Sequence, residues 1–564
     1  MRFLALALAL ILSRATVAQT IIQNNAALHA LPSTFASVVK RLGYATLGDS
    51  PSVTYFPATT CPYSGTQPDG GACIATSDGK YWVAQFADNV ADLSVWGAKC
   101  DGVTDDAAAI QAAANWVAPH YSLHVPGVCV FKTFISFPNV GYVTIEGNGK
   151  NSELQYNGTA TAGNAITIGS SANGSCVTGW SLRNFRVMSA TDMISGDALL
   201  LGHLCASNIA NVDVGNDGNQ NWYNGIHISG GSDINVQGGS FSSGNIAEIV
   251  NGDATTPFNR LYQIQTKVSQ SLTGINVAGN VGSFTLDQSS VTLNGTNVQI
   301  DQSQVAIANK QEFFGPGVVI DGTAPGVGAG VGVNVADPGG ASSAIFFTGT
   351  WLASAKSPAA VCLYIRSTVA NLNVNYVGGS VTGCTSDGVR IDSTSANVLF
   401  SGTFIGSNTG YGVNLTTTNA NVVLNNIIWG TNNSGSGNHS GNYTNNVVNA
   451  FSVGSGYLQS GGTVQISAVG NAQLSSGSSS YTILCAGSTA SQYGLWFSNT
   501  MAVPGKCDGS ARVSGNFSFG SSTYPIDGAY FNYYYTGGTA GVSCAAGSVS
   551  LTTFTVINGI VTHC

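Results

Sequence analysis

One feature limits this chain more than any other. The dipeptide Asn-Val recurs at a fixed distance, at Asn373-Val374, Asn397-Val398 and Asn421-Val422, each 24 residues from the last (397 − 373 and 421 − 397). Asn211-Val212 and Asn235-Val236 show the same distance (235 − 211). Between them run short alternating segments such as Val389-Arg390-Ile391 and Val413-Asn414-Leu415, broken by Gly, Asn and Ser. Alternation marks strands and the breaks mark turns. One such unit cannot bury its apolar face alone, but stacked copies can. The period fits one turn of a parallel β-helix; a leucine-rich repeat has a similar period, but its fixed leucine pattern is missing. Between about 250 and 345 the spacing shifts, which predicts larger loops or side strands. Residues 315–340, rich in Gly, Pro and Ala, read as a loop, and 431–446 as the end of the coil.

The chain begins as an exported protein would. Arg2 precedes the apolar run Phe3 to Leu12, too short to span a bilayer, and Thr16-Val17-Ala18 offers a cleavage site, which places the mature start at Gln19. The 12 cysteines then predict disulfides between neighbours: Cys61/Cys73, Cys100/Cys129, Cys176/Cys205, Cys362/Cys384, Cys485/Cys507 and Cys544/Cys564. No C-x-x-C spacing suggests a metal. Only 8% of residues are charged, against roughly 25% in ordinary domains. A net charge of −8 with 18 basic residues excludes a nucleic-acid partner, and no membrane partner is expected. The surface must consist of Ser, Thr, Asn and Gly, which suits stacked strands and contact with sugar hydroxyls.

The segment from Asp92 to Val117 reads as a strand, a Gly turn, an acidic loop and an amphipathic helix. Asp105 or Asp106 is placed to cap that helix, and Ile110, Ala113, Ala114 and Val117 share one face. Trp96-Gly97-Ala98-Lys99-Cys100-Asp101-Gly102-Val103-Thr104-Asp105-Asp106, followed by Ile110-Gln111-Ala112-Ala113, resembles the opening of the pectate-lyase superfamily domain of rhamnogalacturonase-, epimerase- and tailspike-like proteins. Cys100 stands where the family has Gly. The resemblance implies an all-β right-handed parallel β-helix with an N-terminal capping helix. It implies a polysaccharide as partner, and either a monomer or a homotrimer. The expected organisation is a signal peptide at 1–18, a leader at 19–90, the β-helix at 91–440 and a C-terminal β-rich module at 441–564.

Glycoside hydrolysis needs two carboxylates, and adjacent coils sit about 4.8 Å apart. The similar polygalacturonases carry an Asp before a Gly-Ile strand, with an Asp-Asp pair and a His on the following coils. Here Thr385-Ser386-Asp387-Gly388-Val389 is only a partial echo. Asp197 and Glu248 read as carboxylates two coils apart before strands, with Asn224 between them and Trp222, Tyr223, His227 and the outward Asp213 as substrate-binding neighbours. Asp387, Arg390 and Asp392 form a second set, suited to elimination with calcium; otherwise no cofactor and no metal is expected. His203 and His227 are also 24 apart (227 − 203) but read as unrelated. The functional expectation is a secreted polysaccharide-active protein, a glycosidase before a lyase. The alternative is a non-catalytic carbohydrate-binding or adhesion protein of the same fold.

Overall fold

A computed structural model describes residues 20–434 other than 64–67, 170–175, 216–220, 253–256, 302–308, 324–329, 338–341, 354–359, 367–371, 394, 417–420 and 433, and the backbone of short strands from 437 to 563. The signal sequence, Cys507, Cys544 and Cys564 lie outside the described residues, and only the backbone of Cys485 is described. The chain divides into two compact units, residues 1–464 and 465–564. In the second, the strands Thr482–Cys485, Tyr493–Phe497 and Ala502–Lys506 form an antiparallel sheet.

The first unit opens with a small sheet in which Val53–Ala58 pairs antiparallel with Val39–Arg41 and Tyr81–Gln85. From Val90 onward every paired strand runs parallel to its partner one coil away, through to Phe451–Ser452. The chain is therefore a parallel β-helix. Inward positions form continuous aliphatic columns. One passes through Leu199, Ile226, Ile275, Val298, Val333, Leu363, Val389 and Val413, all buried, with Glu248 in place between Ile226 and Ile275. Another stacks the rings of Phe314, Phe347, Tyr376 and Phe400 at 4.7, 5.0 and 5.5 Å, close to the coil spacing. Burial of this kind, on the order of 25 cal/mol per Å² of apolar surface, holds the stack together.

The three-fold Asn repeat is a true register: Asn373 faces Asn397, which faces Asn421, and their amides bond at 3.2 and 2.9 Å. The earlier repeat is not. Asn235 pairs with Asn208 rather than Asn211, because the coil there is 27 residues long (235 − 208). Spacing falls to 23 at Leu261 and Phe284 (284 − 261), rises to 35 at Val298 and Val333 (333 − 298), and settles at 24 only from Asn373 and Asn397 (397 − 373). The region from 250 to 345 thus stays in the coil, but its turns change length, and from Phe284 onward they are longer, as the shifted spacing predicts. The expected loop at 315–340 holds the strands Val319–Thr323 and Val331–Asp337.

The disulfides Cys61–Cys73, Cys100–Cys129, Cys176–Cys205 and Cys362–Cys384 form as the neighbour rule predicts. The helix Ala107–Trp116 buries Ile110, Ala113 and Ala114. Its entry differs from the expectation. Asp106 occupies the capping position, but its carboxylate turns back to accept from the Lys99 and Cys100 amides at 2.8 and 2.9 Å, while Asp105 accepts from Ala107 N at 3.2 Å. Asp101 accepts from Val103 N and Thr104 N. The acidic motif is therefore spent on shaping this loop. Gly97 has φ +96°, and a Cβ there would meet the Tyr44 ring at 2.4 Å, so glycine is required.

Candidate functional site

Asp197 lies just before an inward leucine, where the chain turns into its strand. Its backbone pairs with Asn224 of the next coil, 27 residues on (224 − 197), as the sequence predicts once an insertion is allowed. Its carboxylate accepts from Asn224 Nδ2 at 3.0 Å and faces His227 Nδ1 at 2.8 Å. His227 Nε2 lies 3.1 Å from Asn251 Oδ1. Asn224 Oδ1 in turn accepts from Asn245 Nδ2 at 2.9 Å. The cluster is only slightly open: the His227 and Asp197 side chains are 18% and 9% exposed.

Glu248 does not join it. Asn224 pairs with Ile246, 22 residues on (246 − 224), so Glu248 falls opposite Ile226 and points into the coil. It is fully buried; Gln263 Nε2 donates to its Oε2 at 2.9 Å. Burial pushes its carboxyl up to about 7, against the opposing effect of that bond. Trp222 is also internal, stacked on Tyr156, with its indole N–H donating to Val187 O at 3.2 Å. Tyr223 is 37% exposed beside the cluster. Asp213 lies in a different outward column, Glu153, Arg186, Asp213, Ser240 and Lys267, and accepts from Ser240 Oγ. His203 is buried and out of register with His227, which faces Leu200.

The second set holds together, largely as structure. Asp387 is buried and accepts from Tyr411 N at 2.9 Å and Asn414 Nδ2 at 2.7 Å. Arg390 Nε donates to Asp392 at 3.2 Å, Tyr364 OH donates to Asp392 at 2.5 Å, and Thr416 Oγ1 donates to it as well. Burial acts against charge on Asp392, but the bonds from Thr416, Tyr364 and Arg390 outweigh it and hold its carboxyl below the usual range. The guanidinium groups of Arg366 and Arg390 lie 5.7 and 5.5 Å from the Tyr364 ring.

Register alone reveals what connects the two sets. His227, Ile249, Asn276, Gln299, Asn334, Tyr364, Arg390 and Asn414 occupy one outward column, each paired with the next. Asn334 Nδ2 donates to Gln299 Oε1 at 2.7 Å, while the side-chain oxygens of Asn276 and Asn334 are buried without a partner among the described residues. Sequence reasoning missed Asn251, Asn276, Gln299, Asn334 and Tyr364, because irregular coil lengths hide their alignment. It also missed an outward column in the first coils, Asp92, His124, Glu146 and Arg183, with His124 bonded to Asp92 and Arg183 to Glu146. Among the described residues one group of metal-ligating types, Cys100, Asp106 and Cys129, comes together, and its cysteines are joined in a disulfide.

No family model matches the sequence, and no curated protein matches it. Solved structures are similar at low identity. The gp42 tailspike of Acinetobacter phage vb_AbaP_AS12 is 13% identical, with a TM-score of 0.47 over 92% of this chain and 100% of that one. The A-module of the Azotobacter vinelandii mannuronan C-5 epimerase AlgE4 is 11% identical, with a TM-score of 0.42 over 64% and 100%. Tailspike protein 2 of bacteriophage CBA120 is 14% identical, with a TM-score of 0.40, and the alignment covers 75% of this chain and 55% of that domain.

Proposed function

We propose that this chain is a secreted polysaccharide-active protein that lays a glycan strand along the outward column from His227 to Asn414. The column carries the reading: its amides, imidazole, phenol and guanidinium repeat at roughly the 4.8 Å coil spacing and offer hydrogen bonds to sugar hydroxyls from a nearly uncharged surface. At its first end, Asp197 orients His227 through Nδ1, and proton transfer at a glycosidic oxygen would come from Nε2 once a bound glycan displaces it from Asn251 Oδ1. The resemblance of the N-terminal motif to polysaccharide-processing β-helices supports the same reading. The four disulfides suit an extracellular setting. Among the described residues no helix is long and apolar enough to cross a membrane.

The second reading is binding without cleavage. It is favoured by the inward position of Glu248, which removes from the site the carboxylate that would pair with Asp197 among the described residues. Elimination, with Arg390 as base and calcium held by Asp387 and Asp392, would first have to free those groups from their present bonds. The test is incubation of the mature protein with neutral and acidic polysaccharides, following new reducing ends and the ultraviolet absorbance of unsaturated ends. Reducing ends alone, lost in His227→Ala, support hydrolysis. Retention on a polysaccharide gel without any product supports the binding reading, and no retention and no product overturns both.

A further inference from the structure

Glu248 is out of keeping with its column, which is otherwise aliphatic, and its surroundings contain an imbalance. Gln263 Nε2 donates to Glu248 Oε2 at 2.9 Å and also to Thr266 Oγ1 at 2.7 Å. Thr266 Oγ1 donates onward to Ser289 Oγ, which donates to Asp287 O at 2.7 Å. The donors of this chain are all used, yet two acceptors remain. Among the described residues, Glu248 Oε1 and Gln263 Oε1 are both buried without a donor. An unsatisfied buried carboxylate oxygen and amide oxygen are each costly. One proton relieves both, because a carboxylic acid and a primary amide join through two bonds, acid O–H to amide oxygen and amide N–H to acid carbonyl.

We propose that Glu248 carries this proton in the folded protein and forms a neutral acid–amide pair with Gln263 inside the coil, making this part of the stack a pH-sensitive lock. Charged or titratable side chains occur on the strands packed around it. They are His227 and Asp233 on Asn224–Gln237, Arg260 and Tyr262 on Phe258–Ile264, Lys267 on Lys267–Ser269 and Asp287 on Val281–Asp287; Thr273–Gly279 has none. His227 is paired with Asp197 and Arg260 with Asp233. None of them contributes to the shift of Glu248, which arises from burial and is opposed only by the Gln263 bond. The sign follows. A carboxyl raised in the folded state, here to about 7, stabilises fully below the ordinary glutamate value; that stability is lost as pH rises from about 4.5 to about 7. The lock is closed in acid and loosened in base.

The chain has four glutamates, Glu146, Glu153, Glu248 and Glu312, so labelling their side-chain carboxyl carbons with 13C yields a small set of signals. In a pH titration of the full chain, one signal is expected to titrate near 7, to vanish in Glu248→Gln, and to shift in Gln263→Leu, which removes both bonds of the pair. Against Glu248→Gln, the wild-type melting temperature should fall as pH rises across the same range. If the variant fails to fold, the wild-type titration still decides. A Glu248 signal titrating in the ordinary carboxylate range, or one indifferent to Gln263→Leu, overturns the proposal.

Discussion

Asp197 and Asp387 hold the same position in two regions of the coil. Each lies two residues before an inward aliphatic, Leu199 or Val389, and each carboxylate reaches the first outward side chain of the next coil. In the earlier region that partner is His227; in the later it is Asn414. The difference shows that a pre-strand aspartate is first a device of the fold, tying one coil to the next. Chemistry enters only where its partner can carry a proton. Each accepts one further bond, Asp197 from the Asn224 side chain and Asp387 from the Tyr411 amide.

The sharpest way to break this comparison is to remove the partner. His227→Ala should lower any polysaccharide cleavage by about 100-fold or more, as loss of a general acid or base does, with little change in the urea midpoint. Asn414→Ala, at the far end of the proposed glycan column, should lower cleavage far less, and through a raised KM rather than a lowered kcat. Equal losses in both variants would show that the column, not the dyad, limits activity. Removing the aspartates should reverse the ranking for stability. Asp387→Ala removes the acceptor of the half-buried Tyr411 amide and of the Asn414 side chain, for a cost of about 1–3 kcal/mol measured by denaturant unfolding. Asp197→Asn keeps the shape of its cluster and should mainly reduce cleavage.

Two smaller effects refine the picture. Asn397→Ala cuts both bonds of the exposed amide ladder and should cost about 1 kcal/mol or less. Arg183→Ala removes the ion pair with Glu146, in which Arg183 is about half exposed; the expected loss is roughly 0–1 kcal/mol, and smaller still at high salt. A large loss in the arginine variant would mean that the charged column of the first coils does more than decorate the surface.

How much was legible beforehand varies with the regularity of the coil. From Asn373 to Asn425 the period is constant, so repeat and register coincide. Between Asp197 and Ile300 coil lengths change, and a spacing of 24 picks wrong partners, as it did for Asn211 with Asn235 and for Asn224 with Glu248. The coil is 22 residues there rather than 24, and this two-residue difference carries Glu248 past the turn before the strand and places it opposite the inward Ile226 instead of Asn224. Trp222 followed a related error: an aromatic beside a polar cluster gives no sign of its facing until the strands are paired.

The sequence by itself determined the architecture, because alternating short strands between Gly and Asn turns can bury their apolar faces only by stacking. It determined the four described disulfides and the helix Ala107–Trp116 as well, since these depend on neighbours along the chain. Only the tertiary structure decided which carboxylates meet, which point inward, and that His227, Asn276, Gln299, Asn334, Tyr364, Arg390 and Asn414 form one line. The physical reason is that lateral contacts in a β-helix are set by the summed lengths of the turns, and no local propensity encodes that sum.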